Sequence, residues 1–247
     1  MNPLRPLDVS AFVLAGGLGT RLRPVTGDRP KPLAPVGGRP FIEILLDQLR
    51  DAGFRHVVLC TGYRAAEVRA AVGAARGPLA VEYSEEPCPL GTGGALRLAL
   101  PLARSETILV SNGDSYLGLP LPSFLERHDR SGAMATLALK PVPDTGRFGR
   151  VETSADGRVL AFREKSGGEG VINAGIYLFR TELVSGIPER ACVSLEREVI
   201  PGWIDRGIHI SGALCDNVFF DIGTPDSHEA ADAYFTSRLP VPPGKTR

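Results

Sequence analysis

The sequence has little that would support a zinc centre or a disulfide framework. Only four cysteines occur among the 247 residues, and no two have the C-x-x-C spacing. The four histidines form no H-x-x-x-H pair, so a zinc site is not expected. A long chain with few, widely spaced cysteines is typical of a protein from a reducing compartment, which predicts a cytoplasmic location.

The sequence also lacks a net charge, a signal peptide and a long apolar run. Lys and Arg together number 28, as do Asp and Glu, whereas nucleic-acid-binding domains usually carry a basic excess. Residues 1–9 contain no apolar h-region, and no segment approaches the roughly 18 apolar residues of a membrane span. We therefore expect neither nucleic acid nor a membrane as a partner. A local cationic pocket for a small anion stays compatible with zero net charge.

Short apolar runs alternate with amphipathic segments through the first 140 residues. Apolar runs predict strands at 10–15, 57–60, 79–83, 107–110 and 134–139. Helical spacing of apolar residues predicts helices beginning at residue 41 and over 65–72, 92–102 and 121–130. Such alternation predicts an α/β fold, a Rossmann-like, mostly parallel sheet flanked by helices. Ligands of such folds bind beyond the carboxyl ends of the strands.

The pattern changes after residue 140. Strands are expected at 149–153, 159–164 and 172–179, followed by helices over 195–206 and 225–235 with short strands between them. No linker rich enough to separate two autonomous domains is found. The sequence thus predicts a single domain over 10–238, with a first half to about residue 140, an elaboration over 141–238, and tails at 1–9 and 239–247.

A glycine-rich loop, LAGGLGTRL at 14–22, follows the first predicted strand. A dinucleotide fingerprint fails here because Leu22 occupies its third glycine position. A Walker A loop is only nearly matched, by Gly-Lys-Thr at 244–246, because Leu239 replaces its first glycine. In a third interpretation, the backbone N–H groups of the loop act with Arg21 and with Lys31, which lies between two prolines. These groups predict a cradle for a triphosphate.

Two aspartates follow short apolar runs. Asp114 lies in Asn-Gly-Asp at the end of the strand predicted at 107–110, and Asp221 lies in Phe-Phe-Asp-Ile-Gly at 219–223. Either could simply cap a turn. However, Mg²⁺ takes carboxylate and phosphate oxygens together, and phosphoryl-type transfer requires such charge neutralisation.

Other polar positions are candidates for sugar and base contacts. Glu164 could accept hydrogen bonds from sugar hydroxyls, and the neighbouring Lys165 could pair with a phosphate. Gly149 would allow close backbone approach, and the Asn173 amide both donates and accepts. The glycine-rich segment at 89–94 could read a base edge through its backbone or could only serve helix packing.

The motif GGLGTRLRP at 16–24, together with Lys31-Pro32, resembles the signature of the sugar-1-phosphate nucleotidyltransferases, also called sugar-nucleotide pyrophosphorylases. The resemblance extends to residue 225 and implies binding of a nucleoside triphosphate and a sugar 1-phosphate. It implies catalytic roles for Arg21, Lys31 and Asp114, and Mg²⁺ held by Asp114 and Asp221. It implies nucleotide contacts from Leu14, Ala15, Gly16, Gly17, Gly19, Thr20, Arg21, Lys31, Leu90, Gly91 and Thr92.

The resemblance also assigns the second half to the sugar. Gly149, Glu164, Lys165 and Asn173 would contact the sugar phosphate. The segments Gly-Thr-Gly-Gly at 91–94, Phe-Gly at 148–149 and Ser-Leu-Glu at 194–196 most closely resemble the heptose-1-phosphate guanylyltransferase branch. That branch would use GTP and D-glycero-D-manno-heptose 1-phosphate.

Several alternatives stay open. Uridylyltransferases of amino sugars contain a similar glycine run, and thymidylyl transfer or mannose-1-phosphate guanylyl transfer would use the same types of group. A non-catalytic sugar-nucleotide-binding subunit is a candidate of another class, although Arg21, Lys31, Asp114 and Asp221 are all present. A homo-oligomer is compatible with the sequence but is not indicated by it.

Overall fold

The computed structural model describes residues 3–163, 167–189 and 192–238. Its strands are β1 Ser10–Leu14, β2 Pro35–Val36, β3 Arg39–Pro40, β4 His56–Thr61, β5 Ala75–Arg76, β6 Leu79–Glu85, β7 Thr107–Asn112, β8 Ser115–Leu117, β9 Ala135–Val142, β10 Arg150–Thr153, β11 Val159–Arg163, β12 Gly170–Arg180, β13 Ile210–Leu214 and β14 Phe219–Asp221. The α-helices are α1 Arg23–Thr26, α2 Phe41–Asp51, α3 Ala65–Val72, α4 Gly91–Ala99, α5 Leu121–Ser131, α6 Thr181–Ser185, α7 Ile200–Asp205 and α8 Pro225–Thr236.

Eight of these strands form one central sheet in the order β13-β9-β12-β7-β1-β4-β6-β5. The pairs β1–β7, β1–β4, β4–β6 and β9–β13 are parallel, whereas β12 is antiparallel to both of its neighbours. All six residues of β4 are buried, as expected of a strand covered on both faces. The predicted α/β fold with a mostly parallel sheet flanked by helices is confirmed.

Helices cover both faces of the sheet and bury a separate apolar cluster on each. Alternate residues of β1 point to opposite faces, so Val13 belongs to one cluster and Phe12 to the other. On the first face α2 buries an apolar stripe that includes Leu45 and Leu49. On the second face Trp203 of α7 packs edge-on against Phe179 of β12. The sheet is therefore covered by apolar packing on both faces.

Strand β12 joins the two predicted halves of the chain. It lies between β9 and β7 in the interior of the sheet, although its residues belong to the half that begins at 141. Strands from both predicted halves thus belong to one central sheet. The division at residue 140 into a nucleotide-binding and a sugar-binding half stays a prediction.

Most predicted elements occur close to their expected bounds, and the differences have local causes. The helix predicted over 92–102 ends at Ala99, and Pro101 lies in the 3₁₀ turn Leu100–Leu102 that follows. The helix predicted over 195–206 begins with a π turn, Leu195–Val199, before α7. The sequence interpretation did not include α6 or the ribbon β2–β3. Glu164, which ended a predicted strand, and the tail 239–247 lie outside the described residues.

None of the described helices has the length and apolarity needed to cross a membrane. The longest, α8, has 12 residues and a mixed sequence.

His128 is a buried, neutral side chain in the core of this fold. Its ring lies on α5 with 2% exposure, and Nδ1 is 2.8 Å from the Thr136 hydroxyl. Nε2 has no hydrogen-bond partner within the described residues. Burial lowers the pKa of His128 to about 4, and the positive charge of Arg180 acts in the same direction.

This burial predicts a loss of stability in mild acid. The unfolded chain takes up a proton near pH 6.5 and the native chain near 4, so the contribution is fully present above 6.5 and is lost as the pH falls towards 4. Between pH 7 and 4, the free energy of unfolding should decrease by about 3 kcal/mol more in the wild type than in His128→Asn. Urea unfolding at a series of pH values measures this difference. Equal pH slopes for the two proteins would show that His128 is not buried as a neutral group.

Candidate active site

A cavity of about 710 Å³ opens at the carboxyl edge of the central sheet. Its walls are the loop after β1, the ends of β4 and β7, and the turn between β6 and α4. This is the edge at which the sequence predicted a ligand site. Ten of the predicted nucleotide-binding residues line it: Leu14, Ala15, Gly16, Gly17, Gly19, Thr20, Arg21, Lys31, Gly91 and Thr92.

The glycine-rich loop is shaped by one residue with a positive φ. Gly19 has φ +61°, a left-handed conformation that residues other than glycine rarely adopt. A Cβ at Gly19 would also lie 2.8 Å from the Cβ of Lys31, so glycine lets the Lys31 side chain pack against the loop. The following 3₁₀ turn, Thr20–Leu22, buries Leu22 in the core and leaves Arg21 exposed beside the cavity. Arg21 and Lys31 therefore stand on the same wall.

Lys31 is held next to the first of the two aspartates. It begins a 3₁₀ turn, Lys31–Leu33, and the prolines on either side of it are buried. Its Nζ lies 2.6 Å from Asp114 Oδ2, and only 11% of the Lys31 side chain is exposed. The ammonium group is thus fixed at the place where the glycine-rich loop meets the end of β7.

The two aspartates meet through a short antiparallel ribbon. Strand β8, which begins just after Asp114, pairs with β14, and Ser115 lies opposite Asp221. The Ile222 N–H donates to the Asp114 carbonyl at 2.9 Å, which closes the ribbon. Burial raises the pKa of Asp221 above its usual range, and the negative charge of Asp114 raises it further. The proximity of two such carboxylates favours a bound cation.

Two cations of the chain pair with these carboxylates. Lys31 pairs with Asp114, and Arg147 Nη2 lies 2.9 Å from Asp221 Oδ2. The Gly223 N–H donates to the other Asp221 oxygen. No set of three or more potential metal ligands occurs among the described residues. Two carboxylates completed by substrate phosphates still fit a hard divalent cation, since Mg²⁺ commonly uses one or two protein carboxylates.

The structure describes two of the four predicted sugar contacts, Gly149 and Asn173. Neither of them lines the cavity. Asn173 Nδ2 donates to the Tyr177 hydroxyl at 2.7 Å, and Asn173 Oδ1 accepts from the Gly175 N–H at 3.2 Å. Gly149 ends a turn in which its N–H donates to the Thr145 carbonyl at 3.1 Å. The amide nitrogen and the amide oxygen of Asn173 thus both form hydrogen bonds within the protein. Contact between Asn173 and the sugar stays a prediction.

A chain of hydrogen bonds nevertheless links Asn173 to the cavity. The Tyr177 hydroxyl donates to Glu196 Oε1 at 2.9 Å, and the Thr92 hydroxyl donates to Glu196 Oε2 at 3.0 Å. Thr92 lines the cavity. Glu164 and Lys165, the other two predicted sugar contacts, lie outside the described residues.

Leu90 occupies a different place from its predicted neighbours. It is 5% exposed, and its N–H donates to Glu86 Oε2 at 2.8 Å. Its carbonyl accepts from the Val193 N–H at 2.9 Å. The structure thus places Leu90 behind the wall, with both backbone groups paired, whereas Gly91 and Thr92 face the cavity.

Sequence reasoning did not select three polar residues of this site. Glu86 and Asn112 line the cavity, and Arg147 pairs with Asp221. Asn112 and Glu86 lie at or directly after the carboxyl ends of parallel strands, so the rule that ligands bind at this edge could have identified both. The Arg147 contact spans 74 positions and carried no such signal.

A mostly parallel α/β sheet with a glycine-rich loop, two cations and paired carboxylates at its carboxyl edge is the arrangement expected of a nucleotide-binding transferase. The comparison with known proteins makes this specific. The chain belongs to the nucleotidyl transferase family, whose pattern it matches over residues 10–238. The family predicted from the glycine-rich motif is thus confirmed.

Two members of this family are similar to the chain over most of its length. It is 41% identical over 223 residues to a mannose-1-phosphate guanylyltransferase of Mycobacterium tuberculosis, covering 88% of this chain and 62% of that protein. It is 35% identical over 225 residues to a D-glycero-α-D-manno-heptose 1-phosphate guanylyltransferase of Aneurinibacillus thermoaerophilus, covering 90% of this chain and 96% of that one. Both relatives are sugar-1-phosphate nucleotidyltransferases, which confirms the predicted enzyme class.

A solved structure has the same fold. The crystal structure of HddC from Yersinia pseudotuberculosis complexed with GMP-PN superposes with a TM-score of 0.82 at 29% identity. The match covers 92% of this chain and 99% of that one. The fold is therefore shared over almost the whole of both chains.

Proposed function

We propose that this enzyme transfers a guanylyl group from GTP to a sugar 1-phosphate and releases pyrophosphate, with D-glycero-D-manno-heptose 1-phosphate as the preferred acceptor. The observation that carries the proposal is the meeting of Lys31, Asp114 and Asp221 beside the glycine-rich cradle. Relatives that transfer guanylyl groups to mannose 1-phosphate and to heptose 1-phosphate support the base and the type of sugar.

The proposed reaction is an in-line displacement. A phosphate oxygen of the sugar 1-phosphate attacks the α-phosphorus of GTP, the bond from that phosphorus to the bridging oxygen breaks, and pyrophosphate leaves with the electron pair. The attacking oxygen is already an anion, so no general base is required. The chain contributes positioning and positive charge, with Arg21 and Lys31 binding the triphosphate. Lys165 is the candidate cation for the sugar phosphate.

The paired carboxylates support a metal-binding role for this part of the cavity. Asp114 and Asp221 would hold Mg²⁺, which would supply positive charge to the phosphate oxygens. The Arg147 guanidinium, which pairs with Asp221, lies beside the same position. The four cysteines are unpaired, which supports a cytoplasmic enzyme.

The decisive experiment is a pyrophosphate-release assay over a grid of nucleoside triphosphates and sugar 1-phosphates. With heptose 1-phosphate as the acceptor, GTP is expected to exceed ATP, UTP, CTP and dTTP. With GTP fixed, the heptose is expected to compete successfully against mannose 1-phosphate and glucose 1-phosphate.

Each other outcome of this assay has a definite meaning. A preference for UTP or dTTP would move the protein to another branch and leave the reaction class standing. A preference for mannose 1-phosphate would retain guanylyl transfer and replace the acceptor. No pyrophosphate with any pair, despite binding of a sugar nucleotide, would favour a regulatory subunit.

A further inference from the structure

Arg147 occupies one oxygen of a carboxylate that is proposed to hold the metal. Its Nη2 lies 2.9 Å from Asp221 Oδ2, and the Gly223 N–H donates to the other oxygen, Oδ1. Only 16% of the Asp221 side chain is exposed, compared with 45% of the Arg147 side chain. A divalent cation held by Asp221 would therefore meet the Arg147 guanidinium at the same carboxylate.

The turn that carries Arg147 is anchored by hydrogen bonds. Thr145 is fully buried, and its N–H donates to the Gly168 carbonyl at 3.0 Å. Asp144 Oδ1 accepts from the N–H groups of Gly146 and Gly168, at 3.0 and 3.1 Å. The backbone that leads to Arg147 is thus tied to a second segment of the chain, although the Arg147 side chain itself is partly exposed.

An aromatic contact joins this turn to the strand that bears Asp221. The Phe148 ring packs edge-on against Phe219 of β14, with ring centroids 5.8 Å apart. The Arg147 guanidinium lies 5.1 Å from the Phe148 ring centroid, within the range of a cation–π contact. Phe219 and Asp221 are two residues apart on β14, so they share one face of the strand. Arg147 is therefore held beside Asp221 by packing as well as by charge.

The charges of the two ion pairs at this place balance. Asp114 and Asp221 carry one negative charge each, and their partners Lys31 and Arg147 carry one positive charge each. A divalent cation adds a positive surplus unless anionic groups enter with it or a cation of the chain moves away. Lys31 is 11% exposed and packs against Gly19, so the more exposed Arg147 is the cation that can move.

We propose that Arg147 competes with the divalent cation for Asp221 and thereby weakens metal binding by the enzyme without triphosphate. This inference rests on the metal role of the paired carboxylates in the proposed function, and it adds a residue that regulates that role. Mg²⁺ takes carboxylate and phosphate oxygens together, and the phosphates supply the negative charge that offsets the surplus. Arg147 thus reserves the carboxylate for a cation that enters with the phosphates.

The test measures the binding of Mn²⁺ alone, which prefers the same oxygen ligands as Mg²⁺, by electron paramagnetic resonance of the free ion. Arg147→Met removes the charge and retains an aliphatic stem beside Phe148. It should bind Mn²⁺ at least about threefold more tightly than the wild type, because a partly exposed ion pair is worth up to about fivefold in affinity. Arg147→Lys retains a cation, and its gain should stay below about threefold.

Two further variants locate the effect. Arg150→Met removes an equal charge from an exposed position of β10, and its gain should also stay below about threefold. Asp221→Asn in the Arg147→Met background should abolish the gain, because the carboxylate for which the two cations compete has been neutralised. Should Arg147→Met not fold, Arg147→Gln is measured in its place.

The outcomes separate Arg147 from the proposed function. If Asp221→Asn weakens Mn²⁺ binding but Arg147→Met shows no gain, the competition is overturned and the metal role of Asp221 stands. This is also the result expected if Arg147 only supported the turn. An equal gain in Arg150→Met overturns the competition too, because net charge alone would explain it. If neither Asp114→Asn nor Asp221→Asn changes Mn²⁺ binding, the proposed metal role fails and this inference fails with it.

Discussion

Replacing either Asp114 or Asp221 by asparagine is expected to lower kcat by about 10²-fold or more, the scale seen when a group that stabilises transition-state charge is removed. Each substitution retains the side-chain shape and removes one of the two charges that the β8–β14 ribbon brings together. Steady-state pyrophosphate release at saturating Mg²⁺ measures the loss. Circular dichroism and a thermal melt check that the variants are folded.

Asp216→Asn provides the matched control. Asp216 is a fully exposed aspartate that pairs with Lys140 at 3.0 Å, away from the described cavity lining. Its kcat should stay within about twofold of the wild type, since exposed ion pairs contribute little. Near-normal turnover in Asp114→Asn or Asp221→Asn with excess Mg²⁺ would remove that residue from the mechanism.

Loss of the Lys31 ammonium group should impair the triphosphate and spare the sugar phosphate. Lys31→Ala is expected to reduce kcat/KM for GTP by about 10²-fold, because a preorganised charge near the phosphates is removed. Lys31→Met should show a similar loss while retaining the aliphatic stem that packs against Gly19. Direct binding of the sugar 1-phosphate should change little in either variant. Calorimetry of each substrate measures the two affinities separately.

Lys140→Met is the control for removal of a lysine charge, since Lys140 pairs with an exposed aspartate outside the described cavity lining. It should leave both affinities unchanged. If Lys31→Ala weakens the sugar phosphate and leaves GTP binding intact, the glycine-rich loop has been assigned to the wrong substrate.

Local patterns in the sequence predicted most of the scaffold. The apolar run of β1 and the helical spacing in α2 reflect burial that each segment achieves within a few residues, so periodicity identifies them. The helix over 65–72 was predicted with the bounds of α3. The position of β12 in the middle of the sheet was not predicted, because strand order is set by packing between distant segments.

The site shows the same division between local and distant contacts. The glycine-rich motif and Lys31 lie close together in sequence, and the cavity brings them together in space. The pairing of Arg147 with Asp221 depends on a loop conformation, which the spacing of apolar residues in the sequence does not predict. The burial of Leu90 likewise depends on Val193, which lies more than 100 positions later. Sequence patterns therefore identified the glycine-rich side of the cavity better than the contacts that involve Leu90 and Arg147.

The ribbon between β8 and β14 pairs two segments that are synthesised at different times. The cradle, Lys31 and Asp114 are translated early, whereas Asp221 and its strand follow only after residue 218. Chains emerge from the ribosome amino-terminus first, at about 5–20 residues per second. For that interval a nascent chain carries the glycine-rich loop and Asp114 without Asp221. Incomplete translation products that stop before β14 therefore lack the paired carboxylates proposed for turnover.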